Sequence, residues 1–570
     1  MEPIISFRDF SFQYRAQKRP TLKNINLDIY PGERILIAGP SGSGKSTIGS
    51  CINGLIPFSY PGEVSGTLTV DGVDAPHSSV FELSAHVGTV LQDPDGQFIG
   101  LTVAEDIAFA LENSCMPQEE MIEITRRTAG LVNIEDHLGY APHELSGGQK
   151  QRVSLAGILV DDVKVLLFDE PLANLDPATG KQTIELIDSI QQQTDTTVII
   201  IEHRLEDVLW RNVDRIILVA DGQIAADMKP DELLATSLLE QHGIREPLYV
   251  TALRYAGVQV TADMQPRHPD CLQLTEAQQA KLQAWFRSCP APEKKQEQPV
   301  CLEVRNLSFG YTNERRNLQD ISFTIRKGEM TAIAGRNGAG KSTLSKLICG
   351  FEVPQEGSIL LDGRDLKEDT IRQRAARIGY VMQNPNQMIS KTMIFDEVAL
   401  GIRGMGLTEA EIRERVEATL KVCGLYPFRN WPISALSFGQ KKRVTIASVL
   451  VMGPDIIILD EPTAGQDFRH YTEIMEFLRG LNEQGVTVLM ITHDMHLMLE
   501  YTDRTLVFND GHLIADASSA EILCSPDIVQ QAALKETSLF TLANRCGIGE
   551  PVAFVNRFIE ADREVRAHGC

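Results

Sequence analysis

"GPSGSGKST" at residues 39–47 and "GRNGAGKST" at residues 335–343 decide the fold of this 570-residue chain. The first copy ends a short apolar run, "RILIAG" (34–39), and leads into "KSTIGSCINGL", which is typical of a helix. Both copies fit the pattern GxxxxGK[ST], in which the glycines let backbone N–H groups face phosphate oxygens and the next helix adds its positive end. A strand, a glycine loop and a helix in that order predict a phosphate-binding α/β domain. The chain contains it twice.

The repeat extends beyond the glycine loops, with the later motifs in the same order. "VLLFDEPLANLD" (165–176) recurs as "IIILDEPTAGQD" (456–467), and "IIIEHRLEDV" (199–208) recurs as "LMITHDMHLM" (489–498). Short β-branched runs alternate with helical stretches in both copies, which predicts a mostly parallel sheet in each. We therefore predict two tandem P-loop NTPase domains, because the chain is too long for one hydrophobic core.

The predicted boundaries follow from the repeat. "TSLLEQHGIREP" (236–247) is echoed by "TSLFTLANRCGIGEP" (537–551), so each copy carries a C-terminal appendage. The appendages either pack against their own domains or hold the two halves together. The linker contains a candidate helix, "TEAQQAKLQAWF" (275–286), and ends in the polar "APEKKQEQP" (291–299). We predict a first domain with its appendage at 1–261, a linker at 262–299, a second domain at 300–530 and its appendage at 531–570.

Composition narrows the class of protein. The net charge of −23 argues against general affinity for nucleic acid, whose phosphates require an excess of Lys and Arg, although local basic patches are compatible with it. The ten cysteines form no CxxC pair and no zinc-type Cys/His cluster, as expected of a reduced, cytosolic protein. "MEPIISFRDF" is no signal peptide, and no apolar run approaches the roughly 20 residues of a membrane span. Work at a membrane would therefore require another chain.

Two acids follow a buried strand in each copy, Asp169-Glu170 and Asp460-Glu461. Such a pair could be a helix cap or a surface pair, but here each accompanies its own glycine loop. The aspartates then complete a Mg²⁺ shell with the loop serine, and the glutamates polarise an attacking water as general base. The lysines of the loops, Lys45 and Lys341, reach the β- and γ-phosphates. The candidate Mg²⁺ ligands from these motifs are Ser46, Asp169, Ser342 and Asp460.

A third repeated segment lies between the glycine loop and the acid pair of each copy, and reads "ELSGGQKQR" (144–152) in the first and "ALSFGQKKR" (435–443) in the second. After each acid pair come an Asp-containing loop and then a histidine. In this combination the chain resembles the ATP-binding cassette (ABC) ATPase family, over nearly its whole length except the linker and tails. The resemblance implies that each domain also has an antiparallel β portion and a helical subdomain carrying the LSGGQ signature. ATP and Mg²⁺ are the implied cofactors.

The resemblance assigns roles by position. Gln92 and Gln383 match the Q-loop glutamine, which touches Mg²⁺ or water and senses the membrane partner, and His203 and His493 match the switch histidine at the γ-phosphate. Tyr14 and Tyr311 match the aromatic that stacks on adenine, with ordinary core packing as the alternative. With Glu170 and Glu461, the histidines and glutamines form the predicted catalytic set. The predicted nucleotide contacts are Tyr14, Gly39, Pro40, Ser41, Gly42, Ser43, Gly44, Lys45, Ser46, Thr47, Ser146, Gly147, Gly148, Gln149, the D-loop Asp176, Tyr311, Gly335, Arg336, Asn337, Gly338, Ala339, Gly340, Lys341, Ser342, Thr343, Ser437, Gly439, Gln440 and the D-loop Asp467.

Nucleotide sites in this family are composite, because the signature of one cassette closes the site on the other cassette's loop. With both cassettes in one chain, the resemblance implies an intramolecular pseudo-dimer. Its first site pairs Lys45, Gln92, Glu170 and His203 with Ser437 and Gly439. Its second site pairs Lys341, Gln383, Glu461 and His493 with Ser146 and Gly148.

The segments between loop and signature narrow the branch of the family. "LQDPDGQFIGLTVAEDIAF" (91–109) and "MQNPNQMISKTMIFDEVAL" (382–400) resemble the ATPases of energy-coupling factor importers, and the tandem arrangement resembles their single-chain forms linked to thiamine-precursor or other vitamin uptake. That resemblance implies an ATPase powering import from the cytoplasmic face of the membrane. Its partners would be a transmembrane coupling protein and a substrate-capture protein in separate chains, with no nucleic acid.

Other ABC classes remain as alternatives. In tandem sugar-importer ATPases one site has usually lost catalytic residues, whereas all acids and both histidines are present here. Soluble family F ATPases act on the ribosome through a long basic linker, but residues 236–299 hold seven Lys/Arg and seven Asp/Glu. DNA-repair ABC ATPases need zinc-type cysteines or long coiled coils, which this sequence lacks. A tandem exporter component is not distinguished by motif.

The second signature differs from the first by one aromatic residue, Phe438 in place of Gly147. Ser437, Gly439 and Gln440 are kept, and a side chain at position 438 is harmful only if the backbone there takes a positive φ. We therefore expect both sites to hydrolyse ATP, with Phe438 directed away from the nucleotide.

Overall fold

The structure is a computed structural model that describes residues 2–91, 96–161, 163–173, 175–290, 298–312, 316–463 and 466–568. Backbone contacts divide the chain into two units. The first unit comprises Met1–Trp285 with Asp467–Arg469, and the second comprises Phe286–Gln466 with His470–Cys570.

The described part of the first unit contains one antiparallel and one mostly parallel sheet. The antiparallel sheet has the order β2-β1-β4-β5, and the other has the order β10-β9-β3-β8-β7-β6. In the second sheet only β10 runs antiparallel to its neighbour. The strands are β1 (Ile5–Tyr14), β2 (Leu22–Ile29), β3 (Arg34–Ala38), β4 (Gly62–Val70), β5 (Val73–Asp74), β6 (Val87–Val90), β7 (Val165–Asp169), β8 (Thr197–Ile201), β9 (Arg215–Ala220) and β10 (Gln223–Met228).

Helices of the first unit lie between these strands and after them. The strand-loop-helix predicted around the first glycine loop is confirmed by β3 and α1. The helices are α1 (Lys45–Ile52), α2 (Leu55–Phe58), α3 (Val80–Ser84), α4 (Val103–Asn113), α5 (Gln118–Leu131), α6 (Gly147–Leu159), α7 (Pro177–Thr194), α8 (Leu205–Val208), α9 (Pro230–Leu234), α10 (Leu238–Gln241), α11 (Leu248–Tyr255) and, extending past Trp285, α12 (Glu276–Ser288). The last of these confirms the helix predicted in the linker.

The core of the first unit explains why the central strand is an unbroken apolar run. Leu36 and Ala38 of β3 pack on one face with α4, α6 and α7, whereas Ile35 and Ile37 pack on the other with α1 and the antiparallel sheet. A strand covered on both faces has no polar side, so "RILIA" does not alternate. This arrangement places the carboxyl ends of β3, β7 and β8 at one edge of the sheet, where the glycine loop, the acids and the histidine follow.

The second unit repeats the plan. Its antiparallel sheet has the order β12-β11-β14-β15 and its mostly parallel sheet the order β16-β17-β18-β13-β19-β20. The predicted fold class, two cassettes each with both kinds of sheet and a helical signature region, is confirmed. The strands are β11 (Val300–Phe309), β12 (Leu318–Arg326), β13 (Met330–Gly335), β14 (Glu356–Leu361), β15 (Arg364–Asp365), β16 (Ile378–Val381), β17 (Ile456–Asp460), β18 (Thr487–Ile491), β19 (Arg504–Asn509) and β20 (His512–Ala517).

Helices of the second unit end in a long helix within the appendage predicted at 531–570. Its last helix has 18 residues, where the first appendage has nothing of that length in the described residues. The helices are α13 (Lys341–Cys349), α14 (Ile371–Ala375), α15 (Ile394–Ala399), α16 (Glu409–Val422), α17 (Phe438–Leu450), α18 (Phe468–Glu483), α19 (Met495–Tyr501), α20 (Ser519–Leu523), α21 (Pro526–Gln531), α22 (Ser538–Arg545) and α23 (Pro551–His568). Across the described ranges, no helix combines the length and the apolarity needed to cross a membrane.

Each appendage packs within its own unit. In the first, Tyr249 of α11 is fully buried and donates a hydrogen bond to the Pro266 carbonyl at 2.5 Å, and Arg254 donates to the carbonyls of Leu234 and Thr236. In the second, α23 packs on α22, α20 and α19. Both appendages therefore make local packing contacts.

Candidate nucleotide-binding and catalytic sites

Both glycine loops approach a neighbouring strand too closely for a side chain at their first position. A Cβ on Gly39 would lie 2.2 Å from the Val219 carbonyl oxygen, and one on Gly335 would lie 2.0 Å from that of Phe508. Each loop is therefore pressed against its sheet and curls into the next helix, α1 or α13. Such a cradle of backbone N–H groups at a helix N-terminus suits a polyphosphate.

The loop lysines are held inside these cradles. Lys45 is 7% exposed, and its Nζ donates to the carbonyls of Gly39 and Pro40 at 2.8 and 2.9 Å. Lys341 repeats the arrangement with the carbonyls of Gly335 and Arg336 at 2.7 and 2.9 Å. Burial lowers the pKa of Lys45, and the nearby Glu170 carboxylate opposes that shift. A buried ammonium among carbonyls is suited to bind phosphate oxygens.

The predicted Mg²⁺ ligands differ between the copies. Ser46 Oγ donates to Asp169 Oδ1 at 3.2 Å, so the structure brings the first pair together. In the second cassette, Asp460 Oδ2 instead accepts a hydrogen bond from the Tyr380 hydroxyl at 3.0 Å. Burial raises the pKa of both aspartates. Hydroxyl and carboxylate oxygens suit Mg²⁺, which commonly takes one or two protein carboxylates and completes its shell with water and phosphate.

Both candidate bases sit on strained backbone. Glu170 and Glu461 follow β7 and β17 with φ of 49° and 45°, in the left-handed region that non-glycine residues rarely enter. Their N–H groups donate to Ile201 and Ile491 at the ends of β8 and β18, each at 2.9 Å, which holds this turn. Such strain persists only where surrounding structure determines it, and it concentrates at functional sites.

The electrostatics of Glu170 suit a base. Its side chain is 18% exposed, and burial, reinforced by the Glu202 and Asp169 carboxylates, raises its pKa to about 7. A general base works best with a pKa near the operating pH. Burial also lowers the pKa of His203, an effect that Glu202 opposes.

The two histidines contact different carboxylates. His493 Nδ1 lies 2.8 Å from Glu461 Oε1, a direct contact between the predicted switch and the predicted base. His203 Nδ1 lies 3.9 Å from Glu170 Oε1 but 3.1 Å from Glu202 Oε1. The cassettes therefore share the motif residues and differ in how those residues pair.

Both signature serines cap the helix that follows them. Ser146 Oγ accepts from the Gln149 N–H while the Gln149 side chain accepts from the Ser146 N–H, and Ser437 and Gln440 make the same reciprocal pair. This capping box explains why serine and glutamine are three residues apart. Phe438 is the first residue of α17, has no positive φ and is 45% exposed, so its side chain imposes no backbone strain.

The two glycines of the first signature differ in the space around them. A Cβ on Gly148 would lie 2.4 Å from Thr179 Cγ2, whereas one on Gly147 would meet only Leu175 Cδ2 at 3.6 Å. We expect Gly148→Ala to be less stable than Gly147→Ala by about 1–3 kcal/mol, the usual cost of overpacking. Thermal melting of the two variants without nucleotide measures this difference, and equal midpoints would contradict it.

Most of the other predicted residues lie within the described part of the chain. The Tyr14 hydroxyl bonds Thr47 Oγ1 at 3.1 Å, so this ring lies beside the first loop, while Tyr311 is 50% exposed with Lys346 Nζ 5.9 Å from its ring centre. Asp176 caps α7 by accepting from the Thr179 N–H. Asp467 is buried just before α18, Gln383 is exposed, and Gln92 lies outside the described residues.

Sequence reasoning missed three side chains beside these sites. Two of them are Glu202, 3.1 Å from His203 Nδ1, and Tyr380, which donates to Asp460. Lys442 of α17 is 1% exposed and donates to the carbonyls of Met382 and Gln383 at 2.8 Å each, and burial lowers its pKa to about 8. The available signal was the mismatch between copies, since Glu202, Tyr380 and Lys442 stand where the other cassette has Thr492, Thr89 and Gln151.

Comparison with known proteins identifies the family to which the two cassettes belong. The ABC transporter family profile matches residues 22–173 and 318–464, and one described as "ATP-binding cassette cobalt transporter" matches residues 236–309. The chain is 58% identical over 563 residues to an ABC transporter ATP-binding protein of Clostridium perfringens, with 99% of both chains covered. It is 58% identical over 568 residues to another from Enterococcus faecalis, again covering 99% of each.

Among solved structures, cbiO1 from Clostridium perfringens, part of the ABC transporter complex cbiONQ, is similar to part of this chain. It is 35% identical with a TM-score of 0.39, covering 44% of this chain and 100% of that one. The family profile and the full-length relatives agree with the motifs found in each unit. The chain therefore belongs to the ABC transporter ATP-binding proteins, the ATP hydrolases that power transport.

Proposed function

We propose that this chain powers an importer of the energy-coupling factor type, which takes up a vitamin or a related micronutrient such as a metal ion. The observation that supports it best is the match of residues 236–309 to a domain described as belonging to a cobalt transporter. The resemblance of "QDPDGQF" and "QNPNQM" to energy-coupling factor ATPases supports the same branch. The transported compound is not encoded in these motifs.

Each cassette supplies a complete hydrolysis set in this proposal. Lys45 and Lys341 hold the β- and γ-phosphates, while Ser46 with Asp169, and Ser342 with Asp460, hold Mg²⁺, together with Gln92 and Gln383. When bound there, the ion would neutralise phosphate charge. Glu170 and Glu461 accept the proton of the attacking water, and His203 and His493 contact the γ-phosphate.

We further propose that the two nucleotide sites are composite and form within one chain. By the family pattern, Ser437 and Gly439 complete the site of the first cassette, and Ser146 and Gly148 complete the site of the second. Hydrolysis then releases the γ-phosphate contacts that hold the closed state. The membrane-embedded coupling and substrate-capture proteins are separate chains, with this subunit bound peripherally at the cytoplasmic face.

Purification of the tagged chain from its native membranes tests this proposal. We expect integral membrane proteins to copurify, and ATP turnover to rise when that complex is placed in lipid vesicles with its substrate. The Glu170→Gln/Glu461→Gln chain serves as control, since it should assemble normally and fail to transport. Copurification with ribosomes, together with ATP turnover that responds to RNA, would instead indicate the family F alternative.

A further inference from the structure

The residue before each switch histidine is the most marked difference between the two catalytic centres. The first cassette reads Glu202-His203-Arg204, and the second reads Thr492-His493-Asp494. Glu202 and Thr492 are both fully buried at the ends of equivalent central strands, β8 and β18. A buried carboxylate is costly unless its surroundings compensate it, so its presence in one copy alone requires a structural reason.

Glu202 directs one carboxylate oxygen at the histidine segment. Its Oε1 accepts hydrogen bonds from the N–H groups of His203 and Arg204 at 2.8 and 3.2 Å, and lies 3.1 Å from His203 Nδ1. Its Oε2 is buried without a hydrogen-bond partner among the described residues. One carboxylate oxygen of Glu202 therefore contacts the histidine segment, whereas the other makes no hydrogen bond within the described residues.

Thr492 makes a smaller version of the same turn. Its Oγ1 accepts from the Asp494 N–H at 3.0 Å, as Glu202 accepts from that of Arg204. The short threonine side chain leaves His493 Nδ1 to pair with the base Glu461 at 2.8 Å. In the first cassette the corresponding distance, from His203 to Glu170, is 3.9 Å.

We propose that Glu202 is a positioning residue that anchors Nδ1 of His203 in the first cassette, in place of the base-to-histidine contact made by Glu461 in the second. An anchored Nδ1 fixes the ring and directs Nε2 outward, as carboxylate partners do for other functional histidines. The base Glu170 lies farther from the same nitrogen, with its Oε1 3.9 Å from Nδ1. This inference rests on the roles proposed above for Glu170 and His203.

The charged groups around Glu202 are consistent with this role. Arg204 Nε lies 3.9 Å from its Oε1, and the cations nearby also include Lys45, while the anions are Glu170 and Asp169. The second cassette has Asp494 at the position of Arg204, so the neutral Thr492 is not accompanied by a cation there. The cation Arg204 therefore accompanies the carboxylate in the first cassette, and both are absent from the corresponding positions of the second.

Two substitutions separate anchoring of the ring from support of the turn. Glu202→Thr keeps an acceptor for the backbone N–H groups but does not reach Nδ1, whereas Glu202→Gln keeps an oxygen that reaches it. In a Glu461→Gln background, we expect Glu202→Thr to lower the first cassette's kcat about tenfold with KM for ATP within twofold. Glu202→Gln should retain more than half of kcat. Thr492→Ser, in a Glu170→Gln background, is the matched control and should change neither constant.

Ring-nitrogen resonances of ¹⁵N-histidine-labelled protein provide a readout that needs no turnover. The His203 signals are assigned by their loss in His203→Asn, and we expect its Nδ1 resonance to move in Glu202→Thr and to stay close to its original position in Glu202→Gln. An unmoved resonance in Glu202→Thr, or equal kinetics of the two variants, would show that Glu202 only supports the turn. If Glu170→Gln keeps full turnover, Glu170 is not the general base. The His203 Nδ1 resonance still tests, independently of turnover, whether Glu202 anchors the ring.

Discussion

The double variant Glu170→Gln/Glu461→Gln is expected to lose ATP turnover by at least about 100-fold, because positioned general bases contribute roughly 10²–10⁴ in rate. Each glutamate lies at the carboxyl end of a buried strand, on a turn whose positive φ is held by the neighbouring strand. Glutamine fits the same turn but does not take a proton from water. Steady-state phosphate release from the purified chain measures the loss.

The single variants decide whether both cassettes hydrolyse. We expect each to lose only the share of turnover that its own cassette supplies, because the loop lysines, acids and histidines are present in both units. Nucleotide binding, measured by displacement of a fluorescent ATP analogue, should persist in all three variants and serves as the control. Full turnover in Glu170→Gln together with its abolition in Glu461→Gln would make the first cassette regulatory.

Turnover by the first cassette is expected to depend steeply on pH. Burial and the neighbouring carboxylates raise the pKa of Glu170 to about 7, and a general base must be ionised, so kcat/KM should fall about tenfold for each pH unit below that value. The measurement uses the Glu461→Gln background with saturating Mg²⁺. A profile flat from pH 6 to pH 8 would contradict the raised pKa.

The same raised pKa has a consequence for stability that needs no nucleotide. The pKa of Glu170 is higher in the folded chain than in the unfolded chain, so its contribution to the free energy of unfolding is fully present below the unfolded pKa. That contribution is lost as the pH rises through the folded pKa of about 7. Glu170→Gln removes the cost of the buried anion, which is at most about 3 kcal/mol for a shift of this size. Its melting temperature should therefore exceed that of the parent at pH 8 and match it near pH 4.5.

Much of the fold could be read from sequence because the local signals agree with one another. "RILIA" is apolar without alternation, which indicates a strand covered on both faces, and the glycine loop and helix that follow it are local structures. The linker helix was predicted from the stretch "TEAQQAKLQAWF" (275–286). The 18-residue α23 was not anticipated, since its apolar residues face α22, α20 and α19, contacts that no local pattern specifies.

At the candidate sites, sequence identified which residues matter and missed how they pair. The lysines, acids, histidines and signature serines were all named from motifs. That Tyr380 rather than a serine bonds Asp460, and that Lys442 donates to the carbonyls of Met382 and Gln383, depends on strands and helices brought together from distant parts of the chain. Glu202, Tyr380 and Lys442 differ between the copies, and that difference was the signal that sequence reasoning left unused.

The second signature illustrates the division between sequence and tertiary structure. Sequence alone determined that Ser437, Gly439 and Gln440 are kept and that Phe438 is tolerable unless its backbone needs a positive φ. The fold shows that the backbone at position 438 has no positive φ, because this residue begins an α-helix, where a side chain is accommodated. Sequence likewise determined that each cassette has a glutamate and a histidine. Only the folded chain decided which carboxylate each histidine contacts, because one buried residue at a strand end, Glu202 or Thr492, sets distances between groups more than 30 residues apart.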